Sequence, residues 1–145
     1  MCSSDLSFSR LTERYGQGVR VLAQACPGLV EQVEKGELQA EATRALVAAY
    51  VEPLLAAGAD TLVLGCTHYP FLLPLFRAVA GPRVAIIDPA QAVARELRRR
   101  LEAAGLLVQG AGHGVERFWS SGDTAAAAHV LTLLWGRSVA VESLA

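Results

Sequence analysis

A thiol, a hydroxyl and an imidazole stand side by side in the segment TLVLGCTHYP, residues 61–70, as Cys66, Thr67 and His68. A thiol can act as a nucleophile or carry a proton, and an imidazole exchanges protons near neutral pH. The hydroxyl of Thr67 can donate a hydrogen bond to a bound carboxylate. The residue types therefore favour an acid/base or nucleophilic thiol. Two alternatives stay open: a structural cysteine in a buried turn, and a metal site, for which C-x-H offers only two ligands.

The elements around Cys66 predict a ligand site at this position. The preceding run TLVLG is a continuous apolar segment, typical of a strand buried on both faces of a parallel sheet. The following segment, residues 71–81, predicts a helix whose regular part begins at Pro74. Ligands of open α/β sheets bind outside the carboxyl ends of the strands. The positive end of the helix dipole there favours a bound carboxylate, and it favours thiolate over thiol at Cys66.

Strand and helix patterns alternate along the rest of the chain, which predicts an α/β fold with a mainly parallel sheet. The predicted strands are residues 19–26, 61–66, 83–88 and 115–122. The predicted helices are residues 7–17 (the end of a helix), 29–36, 37–57, 71–81, 89–105 and 123–136.

Several residues predict local details of these helices. Gly36 and Gly58 are expected to end the helices that precede them, and Pro53 is expected to kink the second. Asp123 or Thr124 is expected to cap the last helix. In the helix over residues 89–105, the predicted buried stripe consists of Val93, Leu97 and Leu101.

Composition narrows the class of protein. The chain has 145 residues, 52% hydrophobic and 19% charged, which fits one globular domain and excludes intrinsic disorder. A net charge of −1 gives no reason to expect nucleic acid or an anionic membrane as partner, and no apolar run approaches a membrane span. Three cysteines without a disulfide-framework pattern predict a reducing cytoplasm.

The opening residues MCSSDL look unlike the rest of the chain. They resemble the translation of a short-read sequencing adapter, so residues 1–6 are predicted to be a non-native leader. A genuine polar tail is the alternative.

The segment DTLVLGCTHYPFL resembles the second signature of the aspartate/glutamate racemase superfamily, and in particular that of the glutamate racemases. The resemblance extends to ACPGLVEQVEKGEL, to YVEPLLAAGADTLVLGCTHYP and to VAIIDPAQAVA, and further to FWSSGD and LLWG. It therefore covers about residues 7–145.

The resemblance implies a racemase that needs no cofactor and no metal. Members of the family invert the α-carbon of an amino acid with two cysteines, one from each lobe of a two-lobed α/β fold, and glutamate is the implied substrate. By this resemblance Cys66 is the second catalytic cysteine, and Thr67 and His68 bind the substrate, with His68 also assisting the thiol. Glu34 falls at a family carboxylate that supports the acid/base chemistry. The implied role is to supply D-glutamate for peptidoglycan.

The sequence also departs from the family pattern. The first lobe's Asp-Ser-Gly loop and its Ala-Cys-Asn-Thr motif, with the other catalytic cysteine, do not occur here. The resemblance thus places residues 7–90 in part of the second lobe, and residues 91–145 in a segment that returns to the first. Cys26 also follows a predicted strand, but it would lie on the same side of a substrate as Cys66, whereas inversion needs opposite faces. We therefore expect the chain to be inactive alone.

Other functions stay possible on these residues. A related aspartate or hydantoin racemase, or a maleate-type isomerase, would share the thiol pair. A non-catalytic α/β piece is the alternative from a different class. A homo-oligomer of the full-length enzyme is compatible with the resemblance.

Overall fold

The computed structural model describes residues 10, 12–108, 110 and 114–144. Residues 1–6, predicted to be a leader, lie outside this part. Residues 12–15 are helical, followed by α1 (Leu29–Glu34), α2 (Glu41–Ala56), α3 (Leu73–Ala80), α4 (Ala90–Ala103) and α5 (Thr124–Trp135). The strands are β1 (Thr61–Val63), β2 (Ala85–Ile87), β3 (Phe118–Ser120) and β4 (Val141–Ser143). Within the described ranges, no helix combines the length and apolar character needed to span a membrane.

Glycines end the first two helices as predicted. Gly36 follows α1 with φ 75°, and Gly58 follows α2 with φ 89°, a left-handed conformation that costs a glycine little. The N–H of Gly58 donates to the carbonyl of Leu55 at 2.9 Å, which satisfies one of the last carbonyls of α2. Pro53 lies in the last turn of α2, within the helix.

The first sheet is a parallel pair, with Leu62 of β1 opposite Ile86 of β2. The pairing extends past β1, because the N–H of Leu64 donates to the carbonyl of Ile87 at 3.0 Å. Leu62 and Leu64 are buried, but Val63 is 63% exposed between them. The prediction that this run is buried on both faces is therefore wrong. Helices cover one face of the pair, and nothing in the described part of the chain covers Val63.

The hydrophobic core lies between that covered face and the helices α1, α2 and α3. Its buried members are Leu29, Val33, Val47, Val51, Leu62, Leu64, Leu72, Leu75, Phe76 and Ala80. One polar side chain, Thr43, is fully buried among them, and its hydroxyl donates to the carbonyl of Glu37 at 2.6 Å. This core fixes α1 and the segment after β1 relative to each other.

Residues 19–26 form no strand, so that prediction is wrong. Val19, Val21 and Leu22 are exposed, and neither β1 nor β2 pairs with this segment. The guanidinium of Arg20 instead donates to the carbonyl of Ala57, next to the end of α2. The apolar pattern is that of a strand, but a strand forms only where a neighbouring backbone accepts its hydrogen bonds.

The C-terminal part is a β3–α5–β4 unit with parallel strands, in which Phe118 lies opposite Val141. Asp123 caps α5 as predicted, since its carboxylate accepts from the N–H of Ala126 at 2.7 Å. Strand β4 was not predicted. It is short, and Glu142 and Ser143 give it too little apolar character for the alternating pattern of a strand.

Helix α4 forms as predicted, but its apolar stripe is not buried. Val93 is 64% exposed and Leu97 57% exposed, so the predicted burial is wrong among the described residues. On its polar side, Glu96 pairs with Arg99 and Arg100 at 2.8 Å, which lowers the pKa of Glu96 to about 2. The helix is therefore amphipathic, and its apolar side is exposed at Val93 and Leu97 in the described part of the chain.

Candidate active site

Cys66 lies just beyond the carboxyl end of β1, where it was predicted, and it is half-buried. Its carbonyl accepts from the N–H of Tyr69 at 3.3 Å, which closes a tight turn after the strand. A 3-10 helix, Tyr69–Leu72, separates this turn from α3, which starts at Leu73, one residue before the predicted Pro74. The thiol is thus held by a strand end on one side and a helical turn on the other.

His68 lies between Cys66 and Glu34. The Cys66 Sγ and the His68 Nδ1 are 3.8 Å apart. On the other side of the ring, Nε2 of His68 lies 3.5 Å from Oε1 of Glu34. The structure therefore brings together three of the predicted site residues, one of which is 32 positions from Cys66 in the sequence.

This arrangement can move a proton to or from the thiol. A carboxylate next to Nε2 favours the tautomer that carries its proton there, which leaves Nδ1 able to accept the proton of Cys66. The side chains of His68 and Glu34 are 32% and 64% exposed, so water screens the interaction in this open site.

Thr67 is exposed between Cys66 and His68. It lies on the same short loop at the carboxyl edge of the sheet, which is where α/β folds bind their ligands. The exposed position of Thr67 is compatible with the predicted contact to a substrate, which stays a prediction.

Two further residues lie near this site: Cys26, which was expected on the same side of a substrate as Cys66, and Tyr69, which was not predicted. Burial raises the pKa of the Cys26 thiol, while a hydrogen bond from Tyr69 lowers it and the nearby Cys66 raises it. Burial raises the pKa of Tyr69 to about 12, and the charges of Cys26 and Cys66 act in the same direction. Cys26 and Tyr69 therefore both stay protonated near neutral pH.

Metal ligands do not cluster in the described part of the chain: it contains no group of three or more His, Cys, Asp or Glu placed to hold an ion. A cavity of about 420 Å³ lies elsewhere, lined by Arg77, Gly81, Pro82, Val84 and Ile86. These residues surround the amino end of β2, the sheet edge opposite to Cys66. The cavity is therefore not part of the thiol site.

Sequence relatives of the chain agree on one family. A family model described as Asp/Glu/Hydantoin racemase matches residues 5–97. The glutamate racemase of Methylococcus capsulatus is 59% identical over 128 residues, which are 88% of this chain and 47% of that protein. The glutamate racemase of Pseudomonas putida is 51% identical over 138 residues, which are 95% of this chain and 52% of that protein. The chain thus spans about half the length of the curated relatives it matches.

The solved structures that resemble this chain are also glutamate racemases. A glutamate racemase of Bacillus anthracis matches with a TM-score of 0.84 and 29% identity, over 98% of this chain and 53% of that one. The glutamate racemase of Thermus thermophilus, in complex with β-chloro-D-alanine, matches with a TM-score of 0.72 and 34% identity. The match covers 94% of this chain and 53% of that one. With the family model covering more than half of its residues, the chain belongs to the Asp/Glu/hydantoin racemase family.

Proposed function

We propose that this chain is the part of a glutamate racemase that supplies one of its two acid/base groups, the thiol of Cys66. The observation that carries the proposal is the Glu34–His68–Cys66 arrangement at the carboxyl end of β1. It occurs in a chain that is 59% identical to a glutamate racemase. Glutamate as the substrate rests on that likeness.

The chemistry follows from the positions of the three groups. As a thiolate, Cys66 takes the α-proton of glutamate on one face, and the C–H electron pair stays on the α-carbon as a carbanion. A second acid, from the part of the enzyme that this chain does not cover, delivers a proton to the opposite face. His68 and Glu34 take up and return the proton of Cys66, while Thr67 and His68 bind the substrate. No cofactor is needed for this exchange.

The division of the chain into two parts is also a proposal. Residues 7–90 would form part of one lobe, and residues 91–145 would pack on another lobe of the full-length enzyme. The exposed Val93 and Leu97 on α4, together with the exposed Val63 on β1, support it, because apolar surface of this kind is normally covered. The free thiols of Cys26 and Cys66 support a cytoplasmic enzyme, where D-glutamate would be made for peptidoglycan.

A hybrid enzyme tests the proposal. In the Methylococcus capsulatus glutamate racemase, the residues of this chain would replace the segment that they match. A coupled assay would then follow D-glutamate formed from L-glutamate, with L-aspartate and a chiral hydantoin as competing substrates. We expect turnover of glutamate, and its loss by a factor of at least about 100 in Cys66→Ala, since general acid/base groups contribute roughly 10²–10⁴-fold.

Cys26→Ala is the matched variant, because it removes the other thiol that the structure describes at this site. Its turnover should stay measurable, at roughly a tenth of the parent value or more. Near-normal racemisation by the Cys66→Ala hybrid would overturn the assignment of Cys66. Preference for aspartate or for the hydantoin would overturn the choice of substrate.

A further inference from the structure

Helix α1 is short and carries Glu34 as its last residue. The Glu34 carboxylate lies 3.5 Å from His68, which directly precedes the 3-10 helix after the Cys66 loop. Helix α1 contacts both that 3-10 helix and α2, and α2 packs on α3, which continues the 3-10 helix. Because α2 and His68 thus belong to one packed frame, the distance between Glu34 and His68 depends on where α1 lies along α2.

The apolar contacts of α1 do not by themselves fix that position. Leu29 and Val33 of α1 are fully buried, as is Val47 of α2. Hydrophobic contact holds the helices together, but it is non-directional and tolerates a slide of one helix along the other. The register of α1 therefore has to come from directional hydrogen bonds.

Two hydroxyls of α2 bind the turns on either side of α1. Before α1, the hydroxyl of Tyr50 donates to the carbonyl of Pro27 at 2.7 Å. After α1, the hydroxyl of Thr43 donates to the carbonyl of Glu37 at 2.6 Å. The two helices therefore run in opposite directions, with one hydroxyl of α2 at each end of α1.

The spacing of the hydroxyls matches the length of α1. Thr43 and Tyr50 are two helical turns apart, so they lie on one face of α2, separated by about 10 Å along its axis. Helix α1 has six residues and is about 9 Å long. Both hydrogen bonds can consequently form in only one register of α1.

The hydrogen bond from Thr43 acts on the turn that holds Glu34. Thr43 is fully buried, and its hydroxyl lies 3.3 Å from Oε1 of Gln32 as well. The N–H of Glu37 donates back to the carbonyl of Gln32 at 2.9 Å, which closes the end of the helix around Glu34. A displacement of the Glu37 carbonyl therefore moves the last turn of α1, and Glu34 with it.

We propose that Thr43 and Tyr50 are positioning residues, which fix the register of α1 along α2 and so keep Glu34 within reach of His68. The inference rests on the proposed function, since it assigns roles within the same site. Neither hydroxyl takes up a proton in the proposed exchange.

The test uses the chain itself and needs no racemisation. Iodoacetamide labelling with peptide mass mapping gives the rate at Cys66 at pH 7 as a fraction of its plateau at high pH, which corrects for accessibility. Thr43→Val and Tyr50→Phe each keep the shape of the side chain and remove the hydroxyl. When Glu34 moves away from His68, the ring accepts the proton of Cys66 less often, so we expect that fraction to fall roughly two- to tenfold in each variant.

Matched variants separate positioning from a general loss of packing. Thr43→Ser keeps the hydroxyl and should largely retain the parent value. Val51→Ala removes buried apolar atoms from the same helix without touching either hydroxyl, and it should leave the fraction unchanged. Circular dichroism shows which variants are folded, and if Thr43→Val does not fold, Tyr50→Phe decides the proposal. An unchanged fraction in Tyr50→Phe, or an equal fall in Val51→Ala, would overturn it.

A double variant asks whether the hydroxyls act through Glu34. Glu34→Gln should lower the fraction by itself, because it weakens the contact with His68. Adding Tyr50→Phe to it should cause little further change, since both substitutions affect the same contact. Independent losses that multiply in the double variant would contradict positioning.

The hybrid enzyme then separates this proposal from the proposed function. There, Tyr50→Phe should lower kcat roughly two- to tenfold and leave KM within about twofold, as expected for a residue that aligns the acid/base groups. An inactive parent hybrid would contradict the proposed function, while the labelling result would still decide the roles of Thr43 and Tyr50. A rise in KM with kcat unchanged would contradict positioning.

Discussion

The thiols of Cys66 and Cys26 lie in the same site but in different surroundings. Cys66 has the ring of His68 at 3.8 Å, and this ring can accept its proton. Burial raises the pKa of Cys26, so a smaller fraction of it is thiolate at neutral pH. We expect Cys66 to be alkylated faster than Cys26 in the folded chain at pH 7 to 7.5. Iodoacetamide labelling and peptide mass mapping measure both rates together, and equal rates would count against an activated Cys66.

Thr67 should contribute to binding rather than to proton transfer. Its exposed hydroxyl can donate to a substrate carboxylate, and the proposed proton exchange does not involve it. In the hybrid enzyme, Thr67→Ala should therefore raise KM roughly three- to tenfold, the loss expected for one hydrogen bond, with kcat changed less. Thr67→Ser, which keeps the hydroxyl, serves as the control. A loss confined to kcat would instead place Thr67 in the chemical step.

For single residues, the sequence was informative where the candidate site residues are adjacent in the chain. Cys66, Thr67 and His68 are adjacent, so their residue types favoured an acid/base or nucleophilic thiol, with a structural cysteine and a metal site left as alternatives. Glu34 was assigned through the resemblance, and the structure places it 3.5 Å from His68. The effect of Tyr69 on the pKa of the Cys26 thiol was missed, because it depends on how the turn before α1 lies beside the Cys66 loop, which no local pattern contains.

At the scale of elements, the packing of α1, α2 and α3 on β1 positions the site. Leu72, in the 3-10 helix that follows the Cys66 loop, is fully buried. Leu72→Ala should lower the free energy of unfolding by about 2–5 kcal/mol, the cost of removing a buried leucine side chain. Urea denaturation followed by circular dichroism measures the change.

Leu97→Ala is the matched control, since Leu97 is 57% exposed on α4. It should change the free energy of unfolding by less than about 0.5 kcal/mol. Equal losses in the two variants would mean that α4 is packed in the chain as it exists in solution, contrary to the structure.

The predicted elements succeeded or failed according to where their partners lie. Helices α1 to α3, with the glycines that end α1 and α2, were largely confirmed, because their signals and their packing partners are all within this chain. The strand predicted for residues 19–26 does not form, and the predicted apolar stripe of α4 is not buried. Both have the right apolar pattern, but burial and strand pairing need a partner surface, and a pattern cannot show whether that surface is present.

At the scale of the whole molecule, the uncovered apolar surfaces should make the chain associate with itself. Val63 and Leu97 are both more than half exposed, on the sheet and on α4. Sedimentation velocity over a range of concentrations should show species above the 15.3 kDa of one chain. The double variant Val63→Lys/Leu97→Lys should shift the distribution toward the monomer. A chain that stays monomeric at every concentration would contradict this expectation.

In the proposed function, Cys66 provides one of two acid/base groups, and the other comes from the part of the enzyme that this chain does not cover. The most direct measurement is D-glutamate formation from L-glutamate by the purified 145-residue chain, beside the hybrid enzyme at the same molar concentration. We expect no racemisation by the chain alone, and turnover by the hybrid that depends on Cys66. Turnover by the chain alone that disappears in its Cys66→Ala variant would contradict it, because the second acid/base group would then lie within these residues.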